Sequence, residues 1–224
     1  MDVPNSVHYG KQMAVLLTKE QVADVRQKIR EVAERHIARD GPHGASMRAI
    51  AAEMGWTAAS LYRYYASKAD LLDATRAAAY ERFSDCIEAA GRSGGDLWDK
   101  SRAIGDAYAD FAFREPAAYQ LIFAFEQDEK DKSADLLAAQ ARAADLMTRY
   151  VREMVEAGLL EGEPAEIAHA YWAVLHGLVV LQMAGKLDPA LPFDTLRHSA
   201  ARLITRGARA SGAAHAARRA PSSS

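Results

Sequence analysis

The sequence predicts an all-α protein, and three observations carry that prediction. Alanine, the strongest helix former, occurs 47 times, against 25 for valine, isoleucine and threonine together. Apolar residues recur at helical spacing along most of the 224-residue chain. The several Val/Ile-rich runs that a buried parallel sheet would need do not occur. Half of the residues are hydrophobic and 26% are charged, which supplies a core and excludes a wholly disordered chain. The one cysteine, Cys86, excludes an intramolecular disulfide and a cysteine-only metal cluster, and points to a cytoplasmic home.

The elements follow in order. Residues 1–17 lack periodicity, carry Pro4 and Gly10, and read as a mobile arm; Met13-Ala14-Val15-Leu16-Leu17 is too brief for a signal peptide. Thr18 caps a first helix, Lys19 to Arg39, on which Val25, Ile29, Val32, His36 and Ile37 form a stripe, and Asp40-Gly41-Pro42-His43-Gly44 stops it. Ser46 caps a second, Met47 to Met54, which Gly55 breaks; Thr57 caps a third, Ala58 to about Tyr64. Ser67 caps a fourth, Lys68 to Ala90, with Asp70 favourably placed in its first turn. After the glycine-rich hinge 91–95, Asp96 caps a fifth helix that ends before Pro116. A sixth covers Ala117 to Phe125 and a charged stretch, Glu126 to Lys132, follows. The seventh runs from Ser133 to Ala157, the eighth from Pro164 to Ala184, and the ninth from Pro192 to Arg206. The longest apolar stretch, Ala170 to Gly185, carries His176 and Gln182 and falls short of the ~20 residues of a membrane span.

This order divides the chain into an arm (1–17), a three-helix unit (18–67), a larger helical unit (68–206) and a disordered tail (207–224). Residues 1–68 hold 10 Lys+Arg and 7 Asp+Glu, whereas the rest hold 18 and 23, so a mildly basic piece sits on an acidic body within a net charge of −2. That asymmetry is compatible with nucleic-acid binding without establishing it.

The stretch from Met47 to Ala66 has the two-helix pattern of a DNA reader. Ile50, Met54, Leu61 and Tyr64 or Tyr65 supply an inward face, Ala51 is small where the helices would cross, and Gly55 sits at the turn. Three other signals fail on context. Gly91-Arg92-Ser93-Gly94-Gly95 spells a hydrolase elbow without the preceding strand that the chemistry needs. Gly94 to Ser101 nearly spells a phosphate loop, but Asp99 replaces its second glycine. Glu166 and His169 match one half of a di-metal site whose other half is missing.

The run Leu61-Tyr62-Arg63-Tyr64-Tyr65-Ala66-Ser67-Lys68-Ala69-Asp70-Leu71, with the helix pair before it, resembles the N-terminal domain of the TetR/AcrR regulators from about Lys19 to Ala78. Trp172-Ala173-Val174-Leu175-His176-Gly177 is similar to a Trp-x-x-x-His-Gly signature of one subgroup's C-terminal domain. Two positions depart from the pattern. Ala59 stands where many members have glycine, and Trp56 replaces a small aliphatic residue and is expected to wedge between the first and third helices.

The resemblance implies an N-terminal helix-turn-helix domain and a C-terminal helical domain that dimerises and holds a small-molecule pocket. The third helix would enter the major groove of double-stranded operator DNA. There Thr57 and Ser60 would offer hydroxyls, Ala58 and Ala59 methyl groups, and Arg63 a guanine or phosphate contact. Tyr62 fits a phosphate contact, Tyr64 fits phosphate or core, and Arg48 and Lys68 would clamp phosphates. A pocket among the fifth to eighth helices would draw on Trp98, Tyr108, Phe111, Phe123, Met147, Tyr150 and Trp172, with His176 as core residue, ligand contact or interface residue. The expectation is a cytoplasmic, homodimeric repressor released by a small-molecule inducer, paired through its eighth and ninth helices, with no cofactor, no membrane and no enzymatic activity. The alternatives are a helical enzyme, either a hydrolase at Ser93 or a metal-dependent oxidase at His169, and a DNA-binding regulator without a ligand.

Overall fold

The computed structural model describes residues 18–92, 94–123 and 128–209, apart from the side chains at 42 and 43. The expected arm, Ser93 in the hinge, the end of the sixth helix at 124–125 and the tail from 210 onward lie outside the described residues. Among the described residues there are nine α-helices: α1 (Lys19–Gly44), α2 (Met47–Glu53), α3 (Ala58–Leu61), α4 (Lys68–Gly91), α5 (Leu97–Arg114), α6 (Pro116–Phe123), α7 (Ala134–Glu156), α8 (Pro164–Met183) and α9 (Phe193–Ala208). A single 3-10 turn, Glu129–Asp131, precedes α7, and Leu160 and Arg209 form one isolated β-bridge. The all-α prediction holds.

Side chains start these helices as the sequence foretells. Thr18 and Gln21 satisfy each other's backbone N–H groups in a capping box, and Asp96 and Asp99 do the same for α5. Ser46, Thr57, Ser67 and Ser133 each accept from the backbone three residues on. Three boundaries move by two residues or more. α1 continues past Arg39 to Gly44 across a break at Gly41, whose φ of +74° lets the chain turn at a residue without a side chain. α3 stops at Leu61 rather than Tyr64, because the carbonyl of Leu61 accepts from the N–H groups of both Tyr64 (2.9 Å) and Tyr65 (3.1 Å) and swings Tyr65 inward. α9 runs two residues past Arg206, and its last carbonyl, on Ala208, accepts from Glu161 N–H at 2.7 Å.

α8 corrects a further expectation. Counted from Pro164, it has 20 residues and is long and apolar enough, by length and composition only, to cross a membrane. The apolar run from Ala170 alone understates it, because Pro164, Ala165, Ile167 and Ala168 already belong to the helix. One side of α8 packs on α7 and α9, while Val180, Leu181 and Met183 face outward.

Three apolar clusters organise the molecule. The first joins Ile29, Ala33 and Ile37 of α1, Ile50 and Ala51 of α2, Leu61 and Tyr65, and adds Leu71 of α4 and Leu121 of α6. The second gathers Ala79, Phe83 and Ile87 of α4 with Tyr108 and Phe111 of α5, Tyr119 and Ile122 of α6, Leu146 of α7 and Val179 of α8. The third seals the far end with Val151, Met154, Leu160 and Ile167. α4 therefore enters two cores, and α6 bridges the same two. Within α4 the Ser84 hydroxyl is fully buried and has no hydrogen-bond partner. A desolvated, unsatisfied hydroxyl costs free energy that an apolar side chain does not. Ser84→Ala is therefore expected to stabilise the protein by about 1 kcal/mol and to raise the thermal midpoint by roughly 2–4 °C. A fall in the midpoint on calorimetry would contradict this reading.

Candidate nucleic-acid interface and C-terminal cavity

The N-terminal unit presents α3 on its surface. Ala51 is completely buried at the crossing of α2, and Trp56 N–H donates to its carbonyl at 2.8 Å, which closes the turn around Gly55 at φ +69°. Tyr65 then fixes α3 against α1. Its ring is buried, its hydroxyl donates to the Arg26 carbonyl at 3.1 Å and accepts from the Arg30 guanidinium at 3.3 Å, and the Arg26 guanidinium lies over the ring at 4.6 Å. With Leu61 and Tyr65 turned inward, Thr57, Ala59, Tyr62 and Arg63 are left exposed, and Ala58, Ser60 and Tyr64 half-buried.

Of the other expected contact residues, Arg48 is exposed on α2 and Lys68 half-buried at the start of α4. Two details refine the sequence reading. Thr57 and Ser60 spend hydrogen-bonding capacity on each other: their hydroxyls lie 3.0 Å apart, and Thr57 also accepts from the Ser60 N–H. Trp56 stacks on Tyr64 at 5.9 Å between ring centroids, so Tyr64 serves the packing of the turn. The His36 ring, buried at the back of this unit, contacts Glu53 of α2 at 2.7 Å, and Arg35 also reaches Glu53. The sequence reading took His36 for a plain stripe residue; its spacing gives no sign of that partner.

The C-terminal unit contains a partly open cavity of about 320 Å³ between α5, α7, α8 and α9. Trp98, Tyr108, Met147, Tyr150 and Trp172 line it as expected. A second cavity of about 190 Å³ shares Tyr108, Met147 and Trp172 and adds Phe123. Phe111 lines neither; it packs edge-on against Phe83 in the core. His176 lies on the other side of that wall, bordering an open groove between α1, α6 and α8. The sequence reading missed the contribution of α9. Arg197, Ala201 and Thr205 follow one another at i, i+4 spacing on it and all face the cavity, a pattern legible once α9 is known to cover the pocket.

A chain of hydrogen bonds separates cavity from groove. Trp172 Nε1 donates to the Tyr108 hydroxyl at 3.1 Å, the Tyr108 and Tyr119 hydroxyls are 3.0 Å apart, and His176 Nδ1 lies 2.6 Å from Tyr119 and 3.1 Å from Tyr108. Burial pushes the phenol of Tyr119 up to about 12, raises that of Tyr108 further and lowers the His176 imidazole, so burial favours the neutral form of all three.

Residues 29–75 match the family model described as bacterial regulatory proteins of the tetR family, and residues 101–207 match the tetracyclin repressor-like C-terminal domain. The chain belongs to the TetR family. An HTH-type transcriptional regulator of Mycobacterium tuberculosis is 26% identical over 166 residues, which cover 73% of this chain and 72% of that protein. A solved structure of a protein with unknown function from Rhodococcus sp. RHA1 superposes with a TM-score of 0.73 at 25% identity, over 89% of this chain and all of that one. A TetR family transcription regulator from Marinobacter aquaeolei VT8 shares the fold, with a TM-score of 0.71 at 20% identity, over 87% of this chain and all of that one.

Family membership makes the protein a DNA-binding transcriptional regulator and not an enzyme, which sets aside the hydrolase and oxidase alternatives. TetR regulators bind operator DNA, and their C-terminal domain typically dimerises. In this TetR protein the recognition surface depends on how Tyr65 seats α3. Tyr65→Phe removes one hydroxyl that makes two hydrogen bonds and is expected to lower stability by about 1 kcal/mol. Urea unfolding measures the difference, and an unchanged midpoint would show that the ring alone holds α3.

Proposed function

We propose that this protein is a ligand-responsive, cytoplasmic repressor: a homodimer paired through α8 and α9 that leaves its operator when a small molecule occupies the C-terminal cavity. The N-terminal unit at 18–67 is the DNA reader in this proposal, and 68–206 the ligand-binding and dimerisation unit. The observation that carries the reading is one helix with two faces. α8 lines the cavity through Tyr171, Trp172, Val174 and Leu175 and turns Val180, Leu181 and Met183 outward. Apolar residues that face outward on an otherwise packed helix call for a partner. Leu203, 68% exposed on α9, extends that face. A second copy of the chain satisfies it, because a two-fold interface is self-complementary.

On the DNA side, α3 is short enough that its first residues, Ala58 and Ala59, come nearest to base edges with Thr57 and Ser60 beside them. Arg63 follows α3 on an exposed turn, a position that favours phosphate over bases. Arg48 and Lys68 flank the same surface on α2 and α4 and are assigned to phosphates, with Tyr62 as a further hydroxyl donor. A regulator without a ligand is the second reading, and the aromatic-lined cavity argues against it.

Two experiments test this function. Lys68→Ala and Arg48→Ala should each weaken binding to specific and random DNA alike and reduce the log–log salt slope by about one unit per lost contact, doubled in a symmetric dimer. A slope that does not move removes the residue from the interface. Leu181→Glu should convert the dimer to monomer at micromolar concentration, read by light scattering, and weaken operator binding while leaving helicity intact. A variant that stays dimeric would place the partner elsewhere.

A further inference from the structure

We propose that the cavity takes a flat aromatic molecule carrying a carboxylate, and that Tyr108 donates to that carboxylate by releasing its hydrogen bond to Tyr119. The inference rests on the cavity being the regulatory site, and it adds the chemistry of the ligand.

The lining gives the first argument. Trp98, Tyr108, Tyr150, Tyr171 and Trp172 surround the main cavity with aromatic faces, which suit a planar apolar body. Neither cavity has an Asp or Glu in its lining, whereas three arginines, Arg102, Arg197 and Arg202, line the larger one. Asp99, Asp106 and Asp194 pair with Arg102 and Arg197 from outside the lining. An ammonium group would meet three guanidinium groups and no carboxylate in the lining, whereas a carboxylate meets donors.

The arrangement of protons gives the second. With His176 neutral and its proton on Nε2, the hydrogens run one way: Trp172 Nε1 donates to Tyr108, Tyr108 donates to Tyr119, and Tyr119 donates to His176 Nδ1. Tyr108 alone in this chain borders both cavities with its hydroxyl hydrogen committed to another phenol. A carboxylate oxygen in the cavity competes for that hydrogen. Once Tyr108 turns to the ligand, the Tyr119 hydroxyl turns to Tyr108, and His176 Nδ1 loses its donor. Two hydroxyl rotations achieve this, and no covalent bond is made or broken. His176 is thereby a positioning residue that opposes the ligand by holding Tyr119. Tyr150 supplies a further hydroxyl in the same cavity that has no hydrogen-bond partner among the described residues.

The test uses three naphthalenes of nearly equal size on the full chain, followed by calorimetry: 2-naphthoate, 2-methylnaphthalene and 2-naphthylmethylammonium. The expected order is naphthoate about tenfold tighter than methylnaphthalene, with the ammonium weakest. Tyr108→Phe should close the gap between naphthoate and methylnaphthalene and leave methylnaphthalene nearly unchanged. His176→Leu should widen the gap, because Tyr119 then has only Tyr108 to donate to, and His176→Gln, whose amide oxygen accepts from Tyr119, should restore the wild-type gap. A purely structural His176 would instead weaken all three ligands together in the leucine variant. Should that variant fail to fold, Tyr108→Phe, which removes one oxygen, still decides. Equal affinity for the three naphthalenes, or a gap that survives in Tyr108→Phe, overturns the proposal and leaves the cavity reading standing. Binding of none of them overturns the cavity reading and the proposal with it.

Discussion

The rest of the structure depends on α4 being buried in two cores at once. Leu71 near its start belongs to the cluster under the recognition helix, and Ala79, Phe83 and Ile87 belong to the core of the larger unit. A continuous 24-residue helix with both ends packed cannot adjust one without the other. α6 is tied to the same two places. Its Leu121 enters the first core and its Ile122 the second, and α4 grips its last turn: the buried Arg76 donates to the Leu121 carbonyl at 3.3 Å and the Tyr80 hydroxyl to the Ile122 carbonyl at 3.1 Å. A cation beside the end of a helix also meets the negative pole of its dipole. Arg82, further along α4, reaches Glu34 on α1 and Glu115 just before α6. One helix thereby positions the elements on both sides of the junction between the two units.

Inside the larger core the polar groups are few and joined to one another. Tyr108, Tyr119, Trp172 and His176 come from three helices and satisfy each other where water does not reach freely. Such a network is costly if one member is removed and specific when complete. Its placement matters more than its energy. Tyr119 sits on α6, which α4 holds against α1, and Trp172 and His176 sit on α8, which forms the cavity wall. The four side chains are therefore the contact between the part of the molecule that a ligand could touch and the part that carries the DNA-reading surface.

Much of this was legible in the sequence because the signals are local. A hydroxyl or carboxylate cap that accepts from the backbone three residues on starts six of the nine helices among the described residues, and Gly55 and Ala51 mark the turn and the crossing of the DNA-reading unit. The exposed surface around α3 follows from which residues face inward, and spacing alone reports that. Three features were not legible, each for a physical reason. The end of α3 depends on Tyr65 finding Arg26 and Arg30 on α1, a contact between distant positions. The α9 side of the cavity depends on which face of α9 turns inward, and its apolar residues misdirect, because Leu203 faces outward while Arg197 and Thr205 line the cavity. His176 could be placed only with Tyr108 and Tyr119 in view, since a histidine on an apolar helix reads alike whether it packs, binds or bridges.

α8 also limits how the proposed regulator can work. The same 20 residues supply the cavity wall, one end of the phenol–imidazole chain and the outward apolar face. Filling the cavity cannot leave the partner face wholly indifferent, because close-packed side chains on one rigid helix move together. A ligand can nonetheless shift the balance only by its difference in affinity between the two arrangements. Typical coupling of ~1–3 kcal/mol amounts to about 5–150-fold in operator affinity. That is enough, because two half-sites must be met together with recognition helices about 34–36 Å apart, and a small rotation of α4 about its shared cores alters that separation at both ends of the dimer. The regulation so described needs no unfolding and no large movement. It needs one helix packed in two cores and a second that faces both ligand and partner.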